Sequence, residues 1–194
     1  MSGTADRPLR ADARRNRERL LEVAEAVFTA KGTGASTEEI AREAGVGIGT
    51  VFRHFPTKEA LLVAVYSRLL QRLGEAAQEM TARDDAGAAF YEFIVLVIGR
   101  SPAKNAFADA LTEAGVEVPH TDADGHSLLG GTLETLMLRA QRAGAVRQDI
   151  GVPELRALLV GLSRALEQVQ DQPARDRVIA VFFDGLHGGA PSPS

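Results

Sequence analysis

The sequence predicts an all-α protein of about nine helices. Three observations carry that expectation. Apolar residues recur at three- and four-residue spacing through most of the chain, breaker residues cluster between those runs, and alternating runs of strand length are absent. The first stripe is Leu20, Ala24, Val27 and Phe28. Later ones are Phe90, Phe93, Ile94 and Val97; Leu129, Leu133, Leu136 and Met137; and Leu155, Leu158, Leu159, Leu162 and Leu166, followed by "RVIAVFFDGL". Breaks are expected at Gly32 and Gly34, Gly45, Pro56, Asp84 to Gly87, Ser101-Pro102, "GVEVPHTDADG", Gly144, Gly151 to Pro153 and Gln172-Pro173. The ending "GGAPSPS" holds too few apolar groups to fold, so 188–194 reads as a disordered tail.

Composition narrows the class. The 194 residues are 45% hydrophobic and 25% charged, as in ordinary globular proteins. No apolar run is long enough to span a bilayer, and "MSGTADRPLRADARRNRER" lacks the apolar stretch of a secretory signal, so a cytoplasmic protein with no membrane partner is expected. The absence of cysteine excludes disulfides, thiol catalysis and cysteine-ligated zinc. The net charge of −4 is unevenly spread: six arginines face only Asp12 and Glu18 between Arg7 and Arg19. A basic arm on an acidic chain points to nucleic acid, with Arg7, Arg10, Arg14, Arg15 and Arg17 placed to neutralise phosphates or reach a minor groove.

The segment "ASTEEIAREAGVGIGTVFRHFPTKEALL" sharpens that reading. Ser36 followed by Glu39 is a capping box that starts a short helix running to about Ala44. Gly45 supplies the left-handed residue that ends it, and a second short helix carries Val51 and Phe55 on its inner face. Ala41 is small enough for the two helices to cross closely. Two short helices joined by a glycine turn make a helix-turn-helix, whose second helix enters the DNA major groove. With Val51 and Phe55 inside, Gly49 and Arg53 face outward and Thr50 and Phe52 flank them. Lys58, after Pro56 and the cap Thr57, sits where the helix dipole disfavours a cation, and a nearby phosphate would reverse that.

On these residues the segment resembles the DNA-binding signature of the tetracycline-repressor (TetR) family of bacterial regulators, closely from Leu20 to about Leu62. The resemblance implies a homodimer whose three N-terminal helices bind a double-stranded operator and whose remaining helices bind a small-molecule effector and dimerise. It implies that Thr37 contacts a phosphate, that Gly47, Ile48 and Thr50 lie at or near base edges, and that Arg53, His54 and Lys58 clasp the backbone. Arg17, from the arm, and Phe52 complete the expected DNA-contacting set. Phe52 stands where the family most often has tyrosine, and Ile48 where polar residues are common. The expected division is 1–56 for the arm and helix-turn-helix, 57–187 for ligand binding and dimerisation, and 188–194 for the tail.

Self-association is also argued from composition. The last two helices hold more apolar surface than one stripe needs, with Gly161 and Ala165 one turn apart. Leu155, Leu158, Leu162, Leu166, Val178, Phe182 and Leu186 are the expected interface, and a dimer predicts a pseudo-palindromic operator. Candidate ligand contacts are Phe90, Phe93, Phe107, Leu133 and Met137. "PHTDADGHS" gathers His120, Asp122, Asp124 and His126 but lacks the complete calcium-loop pattern, so it reads as a solvated loop with no metal. No catalytic constellation, nucleophile elbow or phosphate loop appears, and neither an enzyme nor a cofactor is expected. The preferred function is a ligand-released repressor. A ligand-blind architectural DNA binder, or an all-α carrier or enzyme retaining the module, are the alternatives.

Overall fold

The computed structural model describes residues 6–118 and 130–188. The loop holding His120, Asp122, Asp124 and His126, and residues 189–194 of the expected tail, lie outside the described residues. Among the described residues there are eight helices and no strand: α1 (Asp6–Lys31), α2 (Thr37–Ala44), α3 (Ile48–His54), α4 (Lys58–Met80), α5 (Ala86–Glu113), α6 (Gly130–Arg142), α7 (Val152–Gln168) and α8 (Gln172–Leu186). One isolated bridge pairs Val146 with His187.

The ninth expected helix is absorbed into α5. Ser101-Pro102 was expected to break the chain there, yet α5 runs through it for 28 residues. An interior proline removes one hydrogen bond and crowds the preceding turn, at a cost of about 3 kcal/mol or more. The buried anchors Phe93 and Ile94 before it and Phe107 and Leu111 after it offset that cost by holding both halves of the helix in packed surroundings. Ser101, itself buried, donates its hydroxyl to Val97 O at 2.9 Å, so its own hydroxyl is satisfied inside the helix.

The chain forms two compact units, Met1–Leu69 with Ala103–His120, and Leu70–Pro102 with Thr121–Ser194. Their borders fall inside α4 and α5. In the first unit, α1 buries Leu20, Leu21, Ala24 and Phe28, α2 buries Ile40 and Ala41, and α3 contributes Val51. Phe28 meets Phe107 edge-on at 6.0 Å between centroids. Arg68 of α4 reaches Glu22 of α1 at 2.7 Å and Glu18 at 3.7 Å, tying those two helices together.

In the second unit, Phe90, Phe93, Ile94, Leu133, Met137, Leu155 and Leu186 share one apolar cluster. Tyr91 donates its hydroxyl to Ala145 O at 2.9 Å and stacks on His187 at 5.0 Å, which fixes the end of α8. Both final helices start on the breaker residues read from the sequence. The Glu154 carboxylate accepts from Gly151 N–H at 2.9 Å, and Asp171 Oδ2 accepts from Ala174 N–H at 2.8 Å. Pro153 and Pro173 occupy first turns, where a missing N–H costs nothing.

Candidate nucleic-acid interface

The helix-turn-helix is set by local bonds. Ser36 Oγ accepts from Glu39 N–H at 3.2 Å, capping α2 as expected. The other half of the box is redirected, because the Glu39 carboxylate is taken by Lys31 and lies 3.6 Å from Arg42. The bond from Lys31 is the main reason that the Glu39 carboxyl titrates below its usual 4.5. Gly45 adopts φ 67°, and paired bonds from Gly45 N–H to Arg42 O (3.1 Å) and Val46 N–H to Ala41 O (3.0 Å) close the helix. Any side chain at Gly45 would be strained in that left-handed turn.

The seven residues of α3 follow at once, with Val51 fully buried and Phe55 closing the helix through a 2.8 Å bond to Val51 O. Burial of Val51 and Phe55 fixes the rotation of α3, so Ile48, Gly49, Phe52 and Arg53 turn outward, while Thr50, expected among the outward residues, is half-covered. Ile48 is 36% and Phe52 43% exposed. Gly47, Gly49 and Arg53 are exposed, while Thr50 and His54 are half-buried. No atom lies within 4 Å of where a Cβ on Gly49 would stand, so the bare backbone there is open to an incoming surface.

The cations around α3 differ in what they touch. Arg17 holds its guanidinium 5.1 Å from the Phe55 ring, which locks this arm residue beside the end of α3. Lys58 is the first residue of α4, and its ammonium lies 6.0 Å from the Phe28 ring, a weak compensation for its unfavourable place on the dipole. The cap on that helix is Thr57, whose Oγ1 accepts from Ala60 N–H at 3.1 Å. Among the described residues no carboxylate forms a salt bridge with Arg53 or Lys58, whereas Lys31, Arg42 and Arg68 are all paired with acids.

Thr37 stands apart from the other expected contacts. It is only 8% exposed, and its hydroxyl points to the Glu38 carboxylate at 3.5 Å. Sequence reasoning passed over Arg19. Its guanidinium nitrogen lies 3.8 Å from the Cβ position of Gly45, at the turn between α2 and α3. The signal was present in its helical phase, one residue before the buried Leu20 and on the side of α1 that meets the turn.

The other expected groups separate on inspection. Phe90, Phe93, Leu133 and Met137 lie in the apolar cluster of the second unit, while Phe107 belongs to the first unit against Phe28. Of the expected interface residues, Leu155, Leu162, Leu166 and Leu186 are buried within the protomer, whereas Leu158 is 48% exposed and Val178 and Phe182 are half-buried. Val181, part of the surplus apolar surface of "RVIAVFFDGL" though not of the expected interface set, is 71% exposed. Among the described residues no group of three or more His, Cys, Asp or Glu side chains is placed to hold a metal, and no helix is long and apolar enough to cross a membrane.

Comparison with known proteins gives two domain matches and close structural relatives. Residues 20–65 match the model described as bacterial regulatory proteins of the tetR family, and residues 85–188 match the C-terminal domain of SbtR-like transcriptional regulators. An HTH-type transcriptional regulator of Staphylococcus aureus is 41% identical over 61 residues, spanning 31% of this chain and 33% of that protein. The chain thus matches about a third of the length of this curated relative. A TetR transcription regulatory protein from Mycobacterium vanbaalenii is 40% identical over 93% of this chain and 99% of its own, with a TM-score of 0.74. The TetR transcriptional regulator SCO0520 from Streptomyces coelicolor is 31% identical over 90% and 99%, with a TM-score of 0.67. A helix-turn-helix closed by Gly45, a cationic outer face on α3 and this likeness across nearly the whole chain agree: the protein belongs to the TetR family of DNA-binding transcriptional regulators.

Proposed function

We propose that this chain is a homodimeric repressor that binds a pseudo-palindromic operator and is released by a small molecule. The observation that carries the operator half of this reading is the outer face of α3 with the start of α4, where neither Arg53 nor Lys58 forms a salt bridge among the described residues, Lys58 sensing the charge of the adjacent Glu59, and where Gly49 leaves the backbone open. Cations held beside an open stretch of backbone and free of salt bridges are placed to neutralise a polyanion. Arg53, His54 and Lys58 take backbone phosphates in this account, Arg17 and Arg19 extend the contact along α1, and Ile48, Thr50 and Phe52 face the bases.

The dimer half rests on α7 and α8. Leu158, Gly161 and Ala165 form one exposed stripe at helical spacing, and on α8 the exposed Val181 and Gly185 continue a stripe from the half-buried Ala174 and Val178. A Cβ on Gly161 or Gly185 would meet nothing within 4 Å in the protomer, so both glycines weaken their helices with no internal gain. Close approach of a second copy gives them a use, and an isologous pairing of these helices places two α3 helices on one operator.

The effector would enter the α5–α6 core around Phe90, Phe93, Leu133 and Met137. Release requires that the effector bind the non-operator state more tightly than the operator state, typically by about 1–3 kcal/mol. Both α4 and α5 supply residues to the two units.

The experiment is selection of bound fragments from a random DNA pool by the purified chain, sequenced at low and physiological salt. A two-fold palindrome is the expected product. Enrichment without a defined site, lost as salt rises, would favour a ligand-blind architectural protein. No retention at low salt would overturn the DNA-binding role.

A further inference from the structure

Among the described residues of the first unit, Ile48 and Phe52 are the large hydrophobic side chains that stand exposed, and both lie on α3. They are one turn apart, about 40° from each other around the helix, so they form one continuous apolar strip. The same helix has the sequence IGTVFRH, with no Asn, Gln, Asp, Glu or Lys. It therefore carries no amide to pair with adenine and no carboxylate to accept from cytosine. Arg53 is its one guanidinium, in the last turn and opposite the buried Val51.

Exposed isoleucine and phenylalanine are unfavourable in water, and among the described residues of this unit no other large hydrophobic side chain is exposed. The charge around the strip selects its occupant. Arg53 and Lys58 attract phosphates, Gly47 and Gly49 offer no side chain that would hold a surface away, and no acid lies on α3 to repel a polyanion. On the major-groove edge of DNA the one apolar group is the 5-methyl of thymine.

We infer that Ile48 and Phe52 read thymine methyl groups in the operator, making this helix a reader of pyrimidine methylation state where hydrogen bonding is the commoner means. The inference rests on the DNA-binding reading and adds the chemistry of base choice to it. Each half-site then contains one or two thymines whose methyl groups pack against the strip, and deoxyuridine at those places retains base pairing while removing only the methyl.

The test uses the full chain and the selected operator, with each thymine of a half-site replaced in turn by deoxyuridine. Burial of one methyl predicts roughly a fourfold loss of affinity at a contacted position and no change elsewhere. Ile48→Ala or Phe52→Ala should abolish that loss at its own position, so that the variant binds the thymine and deoxyuridine duplexes equally. Replacing a cytosine at a contacted position that tolerates it by 5-methylcytosine should regain part of the affinity. Because both side chains are exposed, their truncation leaves the fold intact, which a thermal melt of each variant checks. Equal binding of every deoxyuridine duplex by the wild type, or a penalty that persists in full in both variants, would overturn the inference while leaving operator binding standing. Failure to retain any duplex would remove the DNA-binding reading itself.

Discussion

Among the described residues, α3 on one side and α7 with α8 on the other each present more than one large apolar side chain to solvent, whereas Val95 and Leu138 stand singly on α5 and α6, and the surroundings of the two groups differ. On α3, Ile48 and Phe52 lie beside Arg53, with no acid on the helix. On α7 and α8, Leu158 and Val181 lie in stripes of glycine and alanine, and the two helices with their connection carry four arginines and five acids. One apolar strip is framed by positive charge free of salt bridges and the other by small residues and balanced charge. The contrast teaches that exposure alone does not name a partner. Cations framing a strip fit a polyanion, whereas neutrality and small side chains fit the close approach of a like surface.

The largest effect should come from breaking the second region. Val181→Glu places a charge at a position that is 71% exposed in the protomer, so the fold should survive while self-association is lost. With only one half-site engaged per binding event, operator affinity should fall by roughly 100-fold or more. Sedimentation and a DNA titration read both outcomes, and an unchanged mass would remove α8 from the interface.

Next in size are the cations of the first region. Arg53→Ala and Lys58→Ala should each weaken binding by about tenfold at moderate salt, evenly across DNA sequences, and lower the slope of log affinity against log salt by about one. Thr50→Ala should instead shift base preference, and a matching change in salt slope for Thr50 would merge the two roles.

A smaller effect sharpens the contrast through glycine. Gly161→Ala adds a Cβ that meets nothing in the protomer, so an isolated chain should gain about 0.5–1 kcal/mol of stability from helix propensity. If α7 packs closely against a partner, the same change should weaken the dimer. Opposite signs in a dilute thermal melt and a dimer dissociation curve support the account, and a gain in both would place the partner elsewhere.

The smallest effect belongs to a cation with a partner. The Lys31 bond holds the Glu39 carboxyl below its usual 4.5, so its contribution to stability is present above about pH 4.5 and is lost as pH falls through the lower folded value. Glu39→Gln should therefore match the wild type in strong acid and trail it slightly at neutral pH, as a pH series of denaturant melts would show.

The local parts of this structure were legible in the sequence. Ser36, Gly45 and Thr57 act through bonds to residues within a few positions, and such bonds can be read from spacing, while the breaks at Gly151 to Pro153 and Gln172-Pro173 mark the starts of α7 and α8. The outward face of α3 was legible for the same reason, once Val51 and Phe55 had fixed its rotation. Long-range packing was not. Ser101-Pro102 carries the local mark of a break, and only the buried anchors on both sides keep α5 continuous. In α7 and α8 apolar residues occupy more than one stripe, and periodicity cannot tell which one faces the protomer's own core. Leu155, Leu162, Leu166 and Leu186 are consumed there, and Val181 is left outside. Arg19 was overlooked because its place beside Gly45 depends on how α1 crosses the turn.

The central claim, that α3 meets DNA while α7 and α8 meet a second copy, is tested most directly by the number of chains bound to a defined duplex. Sedimentation of the 20.7 kDa chain on the selected full operator and on a single half-site measures it. The account predicts two chains per full operator, bound far more tightly than the half-site. One chain per duplex, with equal affinity for the full and half operators, would contradict it.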